Sequence, residues 1–229
     1  MRKFWIIFEF IVCEYVVFRN SSSLFADYAT KQIQSGYGFP QWIVSVYFLF
    51  LFLWLYIDDN YRLEEKKIQD IIHKEYPSQW IFQTAIWTVI ITAIFDYFVF
   101  GFLKPKYCLT WLSVIGLILF AAGSYIHIKA AMILKPSYSD YIVIFKDQNL
   151  ISSGLYNRIR HPMYSGLSIM LLGTCLTFES ILGLILLIVL FIPGLIYRIK
   201  VEEKILAGHF NNKYLEYKKQ TKMLLDNLV

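Results

Sequence analysis

Two groups of side chains in this sequence have the types and spacing to do chemistry. The first lies in the run from Gly154 to Gly166, which sets Arg158, Arg160, His161 and Tyr164 at the mouth of a long apolar segment. The second is Arg198 followed one helical turn later by Glu202 and Glu203. Guanidinium forks grip carboxylates with two parallel hydrogen bonds, and paired glutamates attract an ammonium or sulfonium cation. A compact group of both signs suits a small zwitterionic ligand. Pro162 fits the first turn of the following helix, where its missing N–H costs nothing, and helix N-termini favour anionic groups.

A hairpin must bring the two groups together. A membrane span needs about 20 mostly apolar residues, and residues 162–199 are too many for one. Glu179, Ser180 and Gly183 divide them into Pro162–Phe178 and Ile181–Ile199. At 1.5 Å per residue the first arm travels about 25 Å and the second returns about 28 Å. Arg160 and His161 therefore face Arg198, Glu202 and Glu203 at one membrane surface. Arg198 ahead of Glu202 is the weaker order for a pair within one helix, which favours another partner for the arginine. Interfacial anchoring is the simpler alternative for Arg158, Arg160 and Tyr164, and helix capping for His161.

The rest of the sequence supports a membrane setting. Its 229 residues are 57% hydrophobic and 18% aromatic, with mean hydropathy +0.49, above the roughly 45–50% apolar content of soluble domains. Further spans are expected at Pro40–Ile57, Trp80–Leu103 and Leu109–Leu134, and Phe4–Phe18 reads as a retained first helix that spans or lies in the interface. The expected fold is an all-α, polytopic bundle of about five to six transmembrane helices, with a C-terminal hairpin and a cytosolic helix over Lys200–Leu225. Asp58–Pro77 reads as a charged, helical, solvated connector.

With all segments spanning and the N-terminus cytoplasmic, the outer loops carry Arg19, Lys31, Lys104 and Lys106. The other 18 of 22 basic residues then lie inside, so both termini are expected in the cytoplasm, and the charges read as facing a membrane rather than nucleic acid. Cys13, Cys108 and Cys175 stand alone in apolar blocks, so neither a disulfide framework nor a metal site is expected. Asp96 reads as a paired structural group, and His127 and Lys129 as residues that could face the site.

The run Leu150–Gly166 resembles the signature of the isoprenylcysteine carboxyl methyltransferase family, which is related to the membrane phospholipid methyltransferases. Its second element is matched by Arg198, Glu202, Glu203 and Leu206, with a trailing aromatic pattern at Phe210, Tyr214 and Tyr217. The resemblance covers about residues 116–220. It departs at Leu155, where proline is common, and at Asn157. It implies one membrane domain over 1–229, in which 106–229 form the core binding S-adenosylmethionine and 1–105 form a variable, acceptor-side part.

Carried over, the resemblance makes Tyr156, Arg158, His161, Tyr164, Arg198, Glu202 and Tyr214 cofactor contacts. Arg160 and Glu203 become catalytic candidates near the acceptor. The implied partners are S-adenosylmethionine, membrane lipids and a lipophilic or small acceptor, with no metal or nucleic acid. The attacking group is left open among carboxylate, amine, phenol and thiol. Arg160 would orient a carboxylate, whereas a phenol or thiol would call for a base such as His161 or a glutamate. The other readings are an NADPH-dependent sterol-type reductase, which Met163 and Leu167 disfavour, and a non-enzymatic scaffold or transporter subunit.

Overall fold

The computed structural model describes residues 41–61, 71–75, 77–97, 110–135, 137–139, 141–145 and 148–224. Helices α1 (Gln41–Tyr61), α2 (Pro77–Phe95), α3 (Trp111–Leu134) and α4 (Pro162–Thr177) are followed by the 30-residue α5 (Ile181–Phe210) and the short α6 (Asn212–Gln220). Helices α1, α2, α3 and α5 are long and apolar enough to cross a membrane, and α4 is a shorter apolar helix. This is the expected integral-membrane helical bundle. Phe4–Phe18 lies outside the described residues.

Local chemistry starts three of the helices where they begin. Thr110 accepts the Ser113 N–H and caps α3, Pro162 occupies the first turn of α4, and the Ser180 hydroxyl accepts the Gly183 N–H to cap α5. Asp96 accepts the Ser180 hydroxyl at 2.6 Å, which is the structural pairing expected for a carboxyl in an apolar layer. Within α5, Leu187–Phe191 form a π-helical turn. Its cause is Pro193, which has no N–H to give back and whose ring crowds the carbonyl one turn earlier.

The tightest packing joins α3 to α4. Glycines seven apart on each helix meet in opposite order, Gly116 against Gly173 and Gly123 against Gly166. A Cβ on Gly166 would lie 2.7 Å from the Gly123 carbonyl, and one on Gly173 would lie 2.5 Å from the Phe120 nitrogen. The two backbones are thus in direct contact, the small-residue packing of membrane helices. Tyr47 crosses the core from α1 and hydrogen-bonds Thr174 at 3.0 Å.

Two expectations need correction. The connector is not helical and solvated throughout. Asp58 sits in the last turn of α1 and is 1% exposed, and strand β1 (Ile71–Glu75) pairs antiparallel with β2 (Ile142–Phe145). β2 is an unbroken Ile-Val-Ile-Phe run, the β-branched and aromatic composition that favours extended chain, and its pairing satisfies the backbone of both segments. Nor is Lys200–Leu225 one helix. The chain breaks at Asn211 with φ of 50°, resumes as α6, and leaves helix at Thr221 in extended conformation.

Candidate functional site

The hairpin delivers the expected meeting of motifs. Arg160 Nε donates to Glu203 Oε1 at 2.8 Å, and His161 Nε2 lies 3.3 Å from the same oxygen. His161 Nδ1 faces Glu202 Oε2 at 3.8 Å, so the buried ring lies between two carboxylates. The Tyr164 hydroxyl donates to Glu202 at 2.7 Å and accepts from Arg198 Nε at 3.2 Å. One phenol therefore bridges the arginine and glutamate that sit four apart on α5.

Arg198 also has the further partner its sequence order suggested. Its guanidinium donates to Ser78 Oγ at 2.6 Å and lies 3.5 Å from Glu75 Oε2. Glu75 in turn accepts the Ser78 N–H at the start of α2. A residue outside both motifs thus closes the network, and Arg198 is 3% exposed. Sequence reasoning missed Glu75 and Ser78, although Glu-Tyr-Pro-Ser is a legible helix start.

The C-terminal segment straps the first motif. Arg160 N donates to Lys222 O at 2.8 Å, His161 N to Met223 O, and Lys222 N to Arg158 O. The Arg160 guanidinium also donates to the Lys218 and Thr221 carbonyls, while Lys218 Nζ reaches Glu203 at 2.5 Å. The Tyr217 hydroxyl donates to the Tyr156 carbonyl at 2.7 Å.

A cavity of about 210 Å³ opens among these elements. Its lining includes the polar residues Tyr156, Arg160, His161, Tyr164, Arg198, Glu202 and Tyr214 and the apolar residues Trp54, Phe82, Ile86, Trp87, Ile90 and Leu167. Arg158 is exposed and outside the lining, and Glu203 stands behind the wall, bound to Arg160, His161 and Lys218. Tyr214 is 1% exposed and its hydroxyl has no hydrogen-bond partner among the described residues. Burial raises its phenol pKa, reinforced by the Glu203 and Glu202 charges. Burial likewise raises Tyr156, and pushes Tyr217 up to about 12 against the lowering pull of Arg160. These phenols stay protonated and able to donate.

Asp58 and His127, from outside the motifs, also line the wall. Asp58 Oδ1 accepts from Tyr138 at 2.6 Å and meets His127 Nε2 at 3.1 Å. His127 therefore faces the site, whereas Lys129 is exposed, with its ammonium 5.6 Å from the centre of the Tyr125 ring.

A cavity lined by charged and apolar side chains, within a bundle of membrane-length helices, defines the class as an integral-membrane helical bundle with a candidate binding site. The comparisons make it more particular. Residues 111–213 match the phospholipid methyltransferase family model. The protein-S-isoprenylcysteine O-methyltransferase of Saccharomyces cerevisiae is 32% identical over 118 residues, 51% of this chain and 48% of that relative. The Xenopus laevis enzyme of the same name is 36% identical over 115 residues, 49% of this chain and 40% of its own. The chain thus spans about half the length of the curated relatives it matches. The solved eukaryotic intramembrane Ras methyltransferase, isoprenylcysteine carboxyl methyltransferase, aligns with a TM-score of 0.52 at 17% identity, covering 95% of this chain and 91% of that one. Residues 111–213 are therefore similar to membrane phospholipid and isoprenylcysteine methyltransferases, and the chain shares the fold of the solved intramembrane enzyme.

Proposed function

We propose that this protein is an S-adenosylmethionine-dependent methyltransferase that esterifies the carboxylate of a lipophilic acceptor at the cytoplasmic face of the membrane. The observation that carries this reading is one cavity lined both by charged and tyrosine side chains and by apolar ones. The curated relatives are protein-S-isoprenylcysteine O-methyltransferases, which makes an S-prenylcysteine the first acceptor to test.

The polar part of the lining fits the cofactor. Glu202 offers an anion to a sulfonium or ammonium, Arg198 offers a cation to a carboxylate, and the buried Tyr214 hydroxyl, without a partner among the described residues, offers a hydrogen bond. S-adenosylmethionine supplies a methyl group on a positively charged sulfur. The chain's own task is to align the acceptor oxygen with that methyl and keep water out. Tyr164 and Tyr156 wall the site, and α6 with residues 221–224 covers it from the cytosolic side.

The hydrogen bonding favours a carboxylate over a phenol or thiol. Both nitrogens of His161 face carboxylate oxygens, and both nitrogens of His127 face oxygens of Asp58 and Met163. Neither imidazole has a free lone pair with which to accept a proton. A carboxylate would need none removed: its oxygen would take the methyl that the donor supplies, the departing sulfur would retain the electron pair, and two opposite charges would cancel. Arg160, at the cavity wall and fixed by Glu203, is placed to orient it.

The test is calorimetric titration of the detergent-purified protein with S-adenosylmethionine and with NADPH, followed by labelled-methyl transfer to an S-prenylcysteine and to its methyl ester. Donor binding, transfer to the free acid and none to the ester are expected. Binding of NADPH alone would overturn the reading.

A further inference from the structure

His127 lies on α3, outside both motifs, yet it touches the one that matters. The Gly123–Gly166 contact brings α3 and α4 together one turn below it. His127 Nδ1 consequently comes within 3.2 Å of the Met163 carbonyl, between Pro162 and Tyr164 in the first turn of α4. A carbonyl oxygen can only accept, so Nδ1 carries the proton. Asp58 lies 3.1 Å from Nε2, so both ring nitrogens face oxygens. Both partners are buried, Asp58 at 1% and His127 at 6% exposed. Tyr138 donates to Asp58 from the loop before β2, and Trp54 packs edge-on against the imidazole, with ring centres 5.3 Å apart.

We propose that His127 is a positioning residue for the methyl-donor site: its Nδ1–H fixes the Met163 carbonyl, and with it the turn presenting His161 and Tyr164, while Asp58 and Tyr138 fix the ring. The proposal rests on the methyltransferase reading for the ligand concerned, though not for the contact itself. It assigns Asp58, on α1, a purpose in the site. Tyr164 is the phenol that joins Arg198 to Glu202, so a displaced first turn of α4 separates those two charges.

Two isosteric replacements distinguish positioning from simple cross-linking. The amide nitrogen of asparagine falls where histidine has Nδ1, and that of glutamine where histidine has Nε2. His127→Asn therefore keeps the Met163 bond and loses Asp58, whereas His127→Gln does the reverse. Titration of detergent-purified full-length protein with S-adenosylmethionine should give a Kd within about twofold of wild type for His127→Asn and about tenfold weaker for His127→Gln, one hydrogen bond's worth. Thermal unfolding is expected to shift down in both. Equal affinity losses in the two variants, or no loss in His127→Gln, would overturn the proposal.

Amide hydrogen exchange over residues 163–167 gives a ligand-free readout of the same claim, with protection reduced only in His127→Gln. Equal protection in both variants would refute positioning. Should the wild type fail to bind S-adenosylmethionine, the methyltransferase reading falls while this second measurement still decides the role of His127.

Discussion

Replacing Gly166 by alanine tests the link between helix packing and the site. The added Cβ would lie 2.7 Å from both the Gly123 carbonyl oxygen and the His127 nitrogen, against ordinary contact of at least 3.4 Å. Both neighbours are backbone, so α3 and α4 must separate by about 0.7 Å rather than let a side chain swing aside. Overpacking of this kind costs roughly 1–3 kcal/mol. The same movement stretches the His127–Met163 contact from 3.2 Å to beyond hydrogen-bonding range.

Gly166→Ala should therefore lower the thermal midpoint in detergent and weaken S-adenosylmethionine binding about tenfold. Gly208→Ala is the control. That glycine lies within α5 with nothing within 4 Å of the added carbon, and alanine there should stabilise the helix by up to about 1 kcal/mol. A Gly166→Ala protein with wild-type melting and wild-type affinity would refute the reasoning.

Tyr164→Phe removes a hydroxyl bound to two charged groups, each such bond being worth about 1.5–3 kcal/mol. Donor affinity should fall at least tenfold by calorimetry, and an unchanged Kd would place the ligand elsewhere. Ser180→Ala deprives α5 of its cap and Asp96 of a donor. A loss of about 1–2 kcal/mol with unaltered donor affinity is expected from chemical unfolding, because the change lies at the end of the bundle away from the site. Because Tyr217 titrates only near pH 12 and burial holds Tyr156 and Tyr214 up as well, all three stay protonated from about pH 8 to about pH 10. Donor binding should be flat over that window in titrations that hold ligand integrity constant. A drop reversed by phenylalanine at one of these positions would contradict the burial argument.

The hairpin was legible because its reading used only length and rise. Two apolar arms of similar length return the chain to its starting surface whatever they pack against, so the approach of Arg160 and His161 to Glu202 and Glu203 followed directly. The order of Arg198 and Glu202 even signalled that the arginine looks elsewhere. Glu75 and Ser78 were hidden because their contact to Arg198 spans more than a hundred residues, and no local period encodes such a distance. Asp58 was misread for a related reason. A carboxylate at the end of an apolar helix normally faces water, and only the approach of His127 and Tyr138 makes burying it tolerable. The break at Asn211 left little trace because both flanking segments favour helix, while the positive φ of one asparagine is a local matter.

The π-helical turn at Leu187–Phe191 has a consequence for how this chain tolerates change. One extra residue in a helical turn rotates everything beyond it by about 100° relative to an unbroken α-helix. The lipid-facing start of α5 and its charged end, with Arg198 and Glu202, are therefore aimed independently. Deleting a single residue from that turn would leave the hydrophobicity of the helix intact and swing both side chains out of the cavity. In a homologue, a one-residue gap here would report a re-aimed site, even where every motif letter is preserved.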